Sequence, residues 1–401
     1  MKKFELVSAN PQNKKWDNII KREQQMYKRQ EDLRSEFERD ANRISHCNGY
    51  KRLKNKTQVF FAPTNDHICT RSEHVIHVDN ISYTIANYLG LNTELTKAIA
   101  IAHDIGHTPF GHEGERILSK ISEEKLGKTI WHEKNGLHFV DDIELLEDTE
   151  GKMKNLNLTY AVRDGIISHC GEIDENSVYP REEVIDLNND YTKPNEYMPY
   201  TWEACVVKVV DKISYIGRDI EDAIRLNILT KDKLEELNNI LKNFNNKLNN
   251  TNIIHELVYD ICTNSSIENG ICFTKEKLEL LDTIKRFNYK NIYKNERIEP
   301  SRDYFNLVIN QIFNTLYNFY DGMDTHNKLK QKMYIYPNMI TDFLRWIMNY
   351  SNLKSRENTN LENKVLYNLQ NEKDYIQAII DYIAGMTDKF AMECYTEIIS
   401  F

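Results

Sequence analysis

The chain has 401 residues, enough to bury a sizeable core either as one large domain or as a catalytic core with an appended part. Asp and Glu (61) outnumber Lys and Arg (52), and the formal net charge of -9 argues against a surface built for non-specific binding to a phosphate backbone. It leaves room for a local basic funnel onto one small anion.

Seven scattered cysteines, none at CxxC spacing, indicate neither a zinc knuckle nor a redox pair and fit a reduced setting. The opening stretch, MKKFELVSANPQNKKWDN, has no apolar segment after its two lysines, so it does not read as a signal peptide. No apolar run is long enough to span a bilayer. The expectation is a soluble, cytoplasmic protein with no membrane partner.

With only 14 Gly and 8 Pro and long stretches of apolar residues at helical spacing, the chain reads as all-α. Residues 14–45 are highly charged with a sparse stripe of Met26, Leu33 and Phe37, as in a surface helix or arm. Thr57 to Phe61 is a short β-like run ending at Pro63. Helical patterns follow over 72–89, 93–104, 113–126, 132–147, 158–169 and 201–225, with 171–200 a long irregular connection. Beyond 226 the chain turns rich in Lys, Asn, Leu and Ile, and 226–350 reads as packing or interface helices without a fixed repeat. Residues 351–373 read as a polar linker and 374–399 as a last helical region.

The chemistry concentrates in residues 69–116. On a helix over 72–89, His74, Val78, Ile81, Ile85 and Tyr88 share one stripe, with His74 at its N-terminal end. The next helix starts at Asn92-Thr93, a natural cap, and ends in His103-Asp104-Ile105-Gly106. Adjacent His and Asp at a helix end can both turn to one ion, and Gly106 can take the left-handed conformation that stops the helix. In the third segment, Asp211, Tyr215 and Asp219 stand at i, i+4 and i+8 beside an apolar run. A buried carboxylate there is costly unless it is paired, and a metal ion removes that cost. Two imidazoles and two carboxylates make a mixed N/O site suited to Mn, Fe, Co, Ni, Zn or Mg. A lone His-Asp pair is a weak signal, since both residues commonly cap helices; the order H…HD…D, each member on its own helix, is far more specific.

These residues resemble the HD superfamily of phosphohydrolases, and within it the deoxyguanosine triphosphate triphosphohydrolase (dNTPase) family. The resemblance rests on Arg52-Leu53 with Lys56-Thr57-Gln58-Val59-Phe60, on Thr70-Arg71-x-x-His74, and on the run Ala102 to Glu115 (AHDIGHTPFGHEGE). It extends to Asp211-Lys212-x-x-Tyr215-x-x-x-Asp219-Ile220-Glu221-Asp222-Ala223 and to the late Asp381-Tyr382-Ile383-Ala384-Gly385-Met386-Thr387-Asp388. It is dense over 34–225, resumes at 374–392 and is thin between. It implies an HD-domain helical core with an additional C-terminal helical region: 1–50 a charged helical arm, 51–225 the catalytic core, and 226–401 helices that complete it and form oligomer interfaces.

The resemblance implies His74, His103, Asp104 and Asp211 as metal ligands, Mn or Mg being preferred. His112 with Glu115 would be the catalytic dyad, and His107 and His132 would line the phosphates. Arg71 and Lys212 would grip the triphosphate; Gln58, Tyr215 and Asp219 would hold the deoxyribose, Tyr215 leaving no room for a 2′-hydroxyl. His77 departs from the family's usual Glu and reads as a brace or surface residue. His169 and Glu172 either touch substrate or brace the pocket. No chemistry is claimed for the DYIAGMTD block.

The implied reaction is hydrolysis of dGTP and other dNTPs to deoxynucleoside and inorganic triphosphate. Many relatives are ring-shaped homo-oligomers, so a hexamer or tetramer is expected, and some are activated by a second, allosteric dNTP. The rivals are other HD phosphohydrolases, acting on cyclic nucleotides, guanosine tetraphosphate or nucleoside monophosphates, which lack the KTQVF and HTPFGHEGE pairing. A non-catalytic nucleotide sensor or single-stranded DNA binder has the acidic charge and the intact ligand set against it.

Overall fold

A computed structural model describes residues 2–25, 32–62, 65–169, 176–244 and 249–400. Met26, Pro63, Cys170, Gly171 and Glu172 lie outside these residues. Helices dominate, as expected. Strands among the described residues are two short antiparallel pairs, Leu145–Glu147 with Met153–Asn155 and Ser177–Val178 with Ile271–Cys272. The six described cysteines are free and buried. Among the described residues, no helix is long and apolar enough to cross a membrane.

The chain forms two compact units. One comprises Met1–Ser45, Gln58–Asp104 and Asn157–Glu299, and the other His46–Thr57, Ile105–Leu156 and Pro300–Phe401. In the first, the helices Arg71–Leu89, Thr93–Ala102 and Trp202–Arg225 pack on one another. Tyr160–Ser168 covers the second and third of these, and Asn250–Asn264 the first and third. In the second unit, Gly111–Leu126 packs on Glu372–Ala384, and Pro337–Tyr350 on Asp388–Ile399.

Local signals start and stop these helices. Thr70 and Glu73 form a capping box, the Thr70 N–H donating to the Glu73 carboxylate at 2.8 Å, and Gly90 ends the helix at φ 89°. The Asn92 side chain accepts from the Glu94 and Leu95 N–H groups at 3.0 Å each, which is the expected cap. Thr201 does the same for Ala204. The buried face of Arg71–Leu89 centres on Val78, Ser82 and Leu89, so Tyr88, about a quarter turn away, is exposed rather than on the stripe.

Four expectations are corrected by tertiary structure. Residues 57–61 form no strand: Thr57 makes only an isolated bridge, residues 58–60 bend, and the Thr57 N–H donates to the Asp388 carboxylate. The helix expected over 132–147 ends at His138, passes through a π-turn, Phe139–Ile143, and becomes a strand. There Gly151, at φ 75°, reverses the chain while the Asp148 carboxylate accepts from the Glu150 and Lys152 N–H groups. The charged N-terminal stretch is anchored: Phe37 and Ile44 of the Glu36–His46 helix are buried, and buried Asp40 accepts from Arg22 and from Thr159. The polar segment 351–373 is likewise tied down, by bridges from Ser351 to Tyr367 and from Met153 to Leu361.

Candidate active site

In the first unit, His74 comes from the first turn of Arg71–Leu89, His103 and Asp104 from the end of the Thr93–Ala102 helix, and Asp211 from the middle of Trp202–Arg225. Their convergence follows from the mutual packing of those three helices. Donor atoms of His74, His103 and Asp104 lie within 4.8 Å of one another. An Asp211 carboxylate oxygen stands 3.0 Å from His74 Nε2 and 3.7 Å from His103 Nε2. His103 Nδ1 lies 2.6 Å from the Ala100 carbonyl, so it carries the proton and donates. Its Nε2 is then a lone-pair donor, and it is buried with no hydrogen-bond partner among the described residues. A histidine held through one nitrogen with the other free to ligate is the arrangement metal sites use. The four residues therefore fit a divalent cation.

The electrostatics agree. Burial works to raise the Asp211 carboxyl, but the hydrogen bond from His74 and the charges of His103, His74 and His169 hold it well below the usual carboxylate range. Burial works against a charged His74, yet the hydrogen bond with Asp211 and the charges of Asp104 and Asp211 raise its proton affinity. The cluster attracts positive charge.

Arg71 is 1% exposed and donates from Nη1 to Asp104 at 2.9 Å, whereas its Nε and Nη2 are buried without hydrogen-bond partners among the described residues. Two unpartnered guanidinium nitrogens are costly unless an anion meets them. Lys212 and Tyr215 are half-buried on the Trp202–Arg225 helix. Gln58 Oε1 is a further buried acceptor without a hydrogen-bond partner among the described residues. Asp219 is 2% exposed, and its carboxyl is pushed up to about 7, mainly by burial. The Asp222 charge adds to that rise, while the Tyr293 hydroxyl, which donates to Asp219, opposes it together with His74 and Arg71. Tyr293 lies in the stretch read as packing helices, where no spacing singled it out.

His77 is half-buried and its imidazole is pulled down to about 4, chiefly by burial and then by Arg218 and His74. His169 is 2% exposed, donates from Nδ1 to the Ile166 carbonyl at 2.7 Å, and sets its ring edge-on to His103 with centroids 5.0 Å apart.

The second unit holds the other cluster. His107, His112, Glu115 and His132 bring their donor atoms within 4.8 Å of one another. His107 and His132 stack at 3.9 Å, and His112 meets each of them at a steep angle. The Glu115 carboxylate is 3.0 Å from His132 Nδ1, and Glu133, which no spacing singled out, adds an oxygen at 3.3 Å. His112 is exposed, so its imidazole is open to a bound ligand. The expected left-handed Gly106 is not found: its φ is not positive, and the chain runs on as a 3-10 turn, His103–Gly106. Glycine is needed there for close approach, because a Cβ would stand 2.0 Å from the His132 carbonyl oxygen and 2.2 Å from the Gly136 nitrogen.

Comparison with known families adds an independent finding. A family model described as an HD domain matches residues 71–216, and one described as a phosphohydrolase-associated domain matches 319–397. The chain is similar to a deoxyguanosinetriphosphate triphosphohydrolase-like protein of Caldanaerobacter subterraneus subsp. tengcongensis, 33% identical over 92% of this chain and 86% of that protein. Proteins of the same description from Clostridium tetani, 32% identical over 92% and 87%, and from Rickettsia felis, 30% identical over 92% and 92%, are similar as well.

Proposed function

Because the chain belongs to the deoxyguanosinetriphosphate triphosphohydrolase-like family of HD-domain phosphohydrolases, we propose that it hydrolyses deoxynucleoside triphosphates to deoxynucleoside and inorganic triphosphate. The observation that carries this reading is the convergence of two imidazoles and two carboxylates, His74, His103, Asp104 and Asp211. In this reading they hold Mn or Mg, which when bound supplies Lewis acidity at the α-phosphate and lowers the pKa of an attacking water.

The remaining roles belong to the chain's own side chains. Arg71, with two unpartnered nitrogens, and Lys212 take the phosphate oxygens. His107 and His132 add donors to the phosphates, and the Glu115 carboxylate orients His132. His112, sharing that cluster with Glu115, hands a proton to the departing 5′-oxygen. Asp219, held by Tyr293, binds a sugar hydroxyl, and Tyr215 with Gln58 completes the grip on the deoxyribose. His169 braces His103.

The test is incubation with each dNTP and rNTP in Mn or Mg, with chromatographic identification of products, repeated for Asp211→Ala. Deoxynucleoside plus tripolyphosphate, abolished in the variant, is the expected result. Monophosphate plus pyrophosphate would refute the choice of bond, and activity surviving in Asp211→Ala would refute the metal site.

A further inference from the structure

Two motifs carry no chemistry in the reading above, Lys56-Thr57 and the late block ending in Thr387-Asp388. In the second unit they meet. Asp388 Oδ2 accepts the Thr57 N–H at 2.8 Å and Oδ1 accepts the Phe110 N–H at 2.8 Å, so one carboxylate joins three distant stretches of chain. Lys56 Nζ donates to the His107 carbonyl and, at 3.3 Å, to the Ala384 carbonyl. Both ions are buried, Lys56 at 2% exposure and Asp388 at 5%.

What they grip is the turn His107-Thr108-Pro109-Phe110-Gly111-His112. Phe110 stands at φ 63° and Gly111 at φ 61°. A side chain other than glycine in that region is strained and persists only where its surroundings over-determine it. Here the Phe110 ring stacks on Phe305 at 4.4 Å, and the Thr108 hydroxyl donates to the Pro109 and Gly111 carbonyls at 3.3 and 3.2 Å. A Cβ on Gly114 would stand 1.8 Å from the Pro109 carbonyl oxygen, so the turn also sits hard against the next helix. Lys56 holds the first carbonyl of the turn and Asp388 holds the strained residue's N–H. Asp388 opens the Asp388–Ile399 helix, whose N-terminus Thr387 caps, and a carboxylate in a first helical turn is favoured by the helix dipole.

We propose that Asp388 is a positioning residue for catalysis, its carboxylate setting the backbone of the 107–112 turn and so the placement of the His107 and His112 imidazoles against His132 and Glu115. Asp388 itself touches no substrate. The inference rests on the roles assigned above to His107 and His112. It explains why a block near the chain's end accompanies the histidine run: the block supplies the acceptor that the turn's backbone requires.

The test compares wild type with Asp388→Asn, which keeps the shape but only one carbonyl oxygen, and with Asp388→Glu, which keeps both oxygens. Steady-state kinetics on dGTP with Mn are read beside amide hydrogen exchange and thermal unfolding of the full chain. In Asp388→Asn, kcat falls on the order of 10- to 100-fold, the size of loss that a misplacement of about 1 Å produces. KM changes by less than kcat, because His107 is the one phosphate donor that shifts while Arg71, Lys212 and the sugar contacts stay in place. Exchange quickens in the peptide spanning 107–112 while that spanning 71–104 is unchanged, and Asp388→Glu recovers part of kcat. A kcat within about twofold of wild type, a raised KM at constant kcat, or quickened exchange throughout the chain would overturn the proposal. A wild type inert toward every dNTP would refute the function instead, and the exchange arm alone would then decide whether Asp388 holds the turn.

Discussion

Asp219 is a buried carboxyl whose proton affinity is raised from the ordinary 3.8 to about 7, and Asp219→Asn turns that shift into a measurable stability difference. Below pH 4 the group is protonated in both the folded and the unfolded chain. As pH rises, the unfolded chain loses this proton first, so stability falls until the pH passes about 7, where the folded chain loses it too. At about 1.4 kcal/mol per pH unit, the group costs roughly 4 kcal/mol at pH 8 but only about 2 kcal/mol at pH 5. Asn keeps an acceptor for the Tyr293 hydroxyl and has nothing to ionise. Its own cost of burial does not vary with pH. The expected outcome is that the stability of Asp219→Asn relative to wild type improves by roughly 2 to 3 kcal/mol between pH 5 and pH 8. Urea unfolding of chelator-treated protein at each pH reads this directly. Parallel curves for the two proteins would refute the assignment of Asp219 as a carboxyl that ionises near neutrality.

Two further outcomes follow from packing and charge in the second unit. His138 stands 2.9 Å from Asp142 and 3.2 Å from Asp381, and although burial opposes a charged ring, Asp381 and then Asp142 push it up to about 10. A raised imidazole contributes fully below 6.5 and loses its contribution as pH climbs through about 10, so His138→Gln should cost most at pH 6 and least above pH 10. With the side chain 29% exposed and partly screened, the loss at neutral pH is on the order of 2 kcal/mol; a penalty that grows with pH would contradict the pairing. Gly106→Ala drives a methyl into the His132 and Gly136 backbone, which must shift, and should lower stability by roughly 1 to 3 kcal/mol. An unchanged unfolding temperature would show that the approach is looser than it stands here.

Much of this protein is local and therefore legible in one dimension. The cap at Asn92 and the apolar periods of Arg71–Leu89 and Trp202–Arg225 announced the helices that carry His74, His103 and Asp211. The order of those residues, H…HD…D over three helices, already pointed to a metal. Three-dimensional packing decided the rest. Tyr88 is exposed because neighbouring helices, not periodicity, choose which arc of a helix is covered. Gly106 is required by the approach of the His132–His138 helix rather than by its own φ. Tyr293 reaches Asp219, and Asp388 reaches Thr57 and Phe110, across 74, 331 and 278 residues. Hydrogen bonds over such distances leave no period in a sequence, because only the folded backbone brings donor and acceptor within 3 Å.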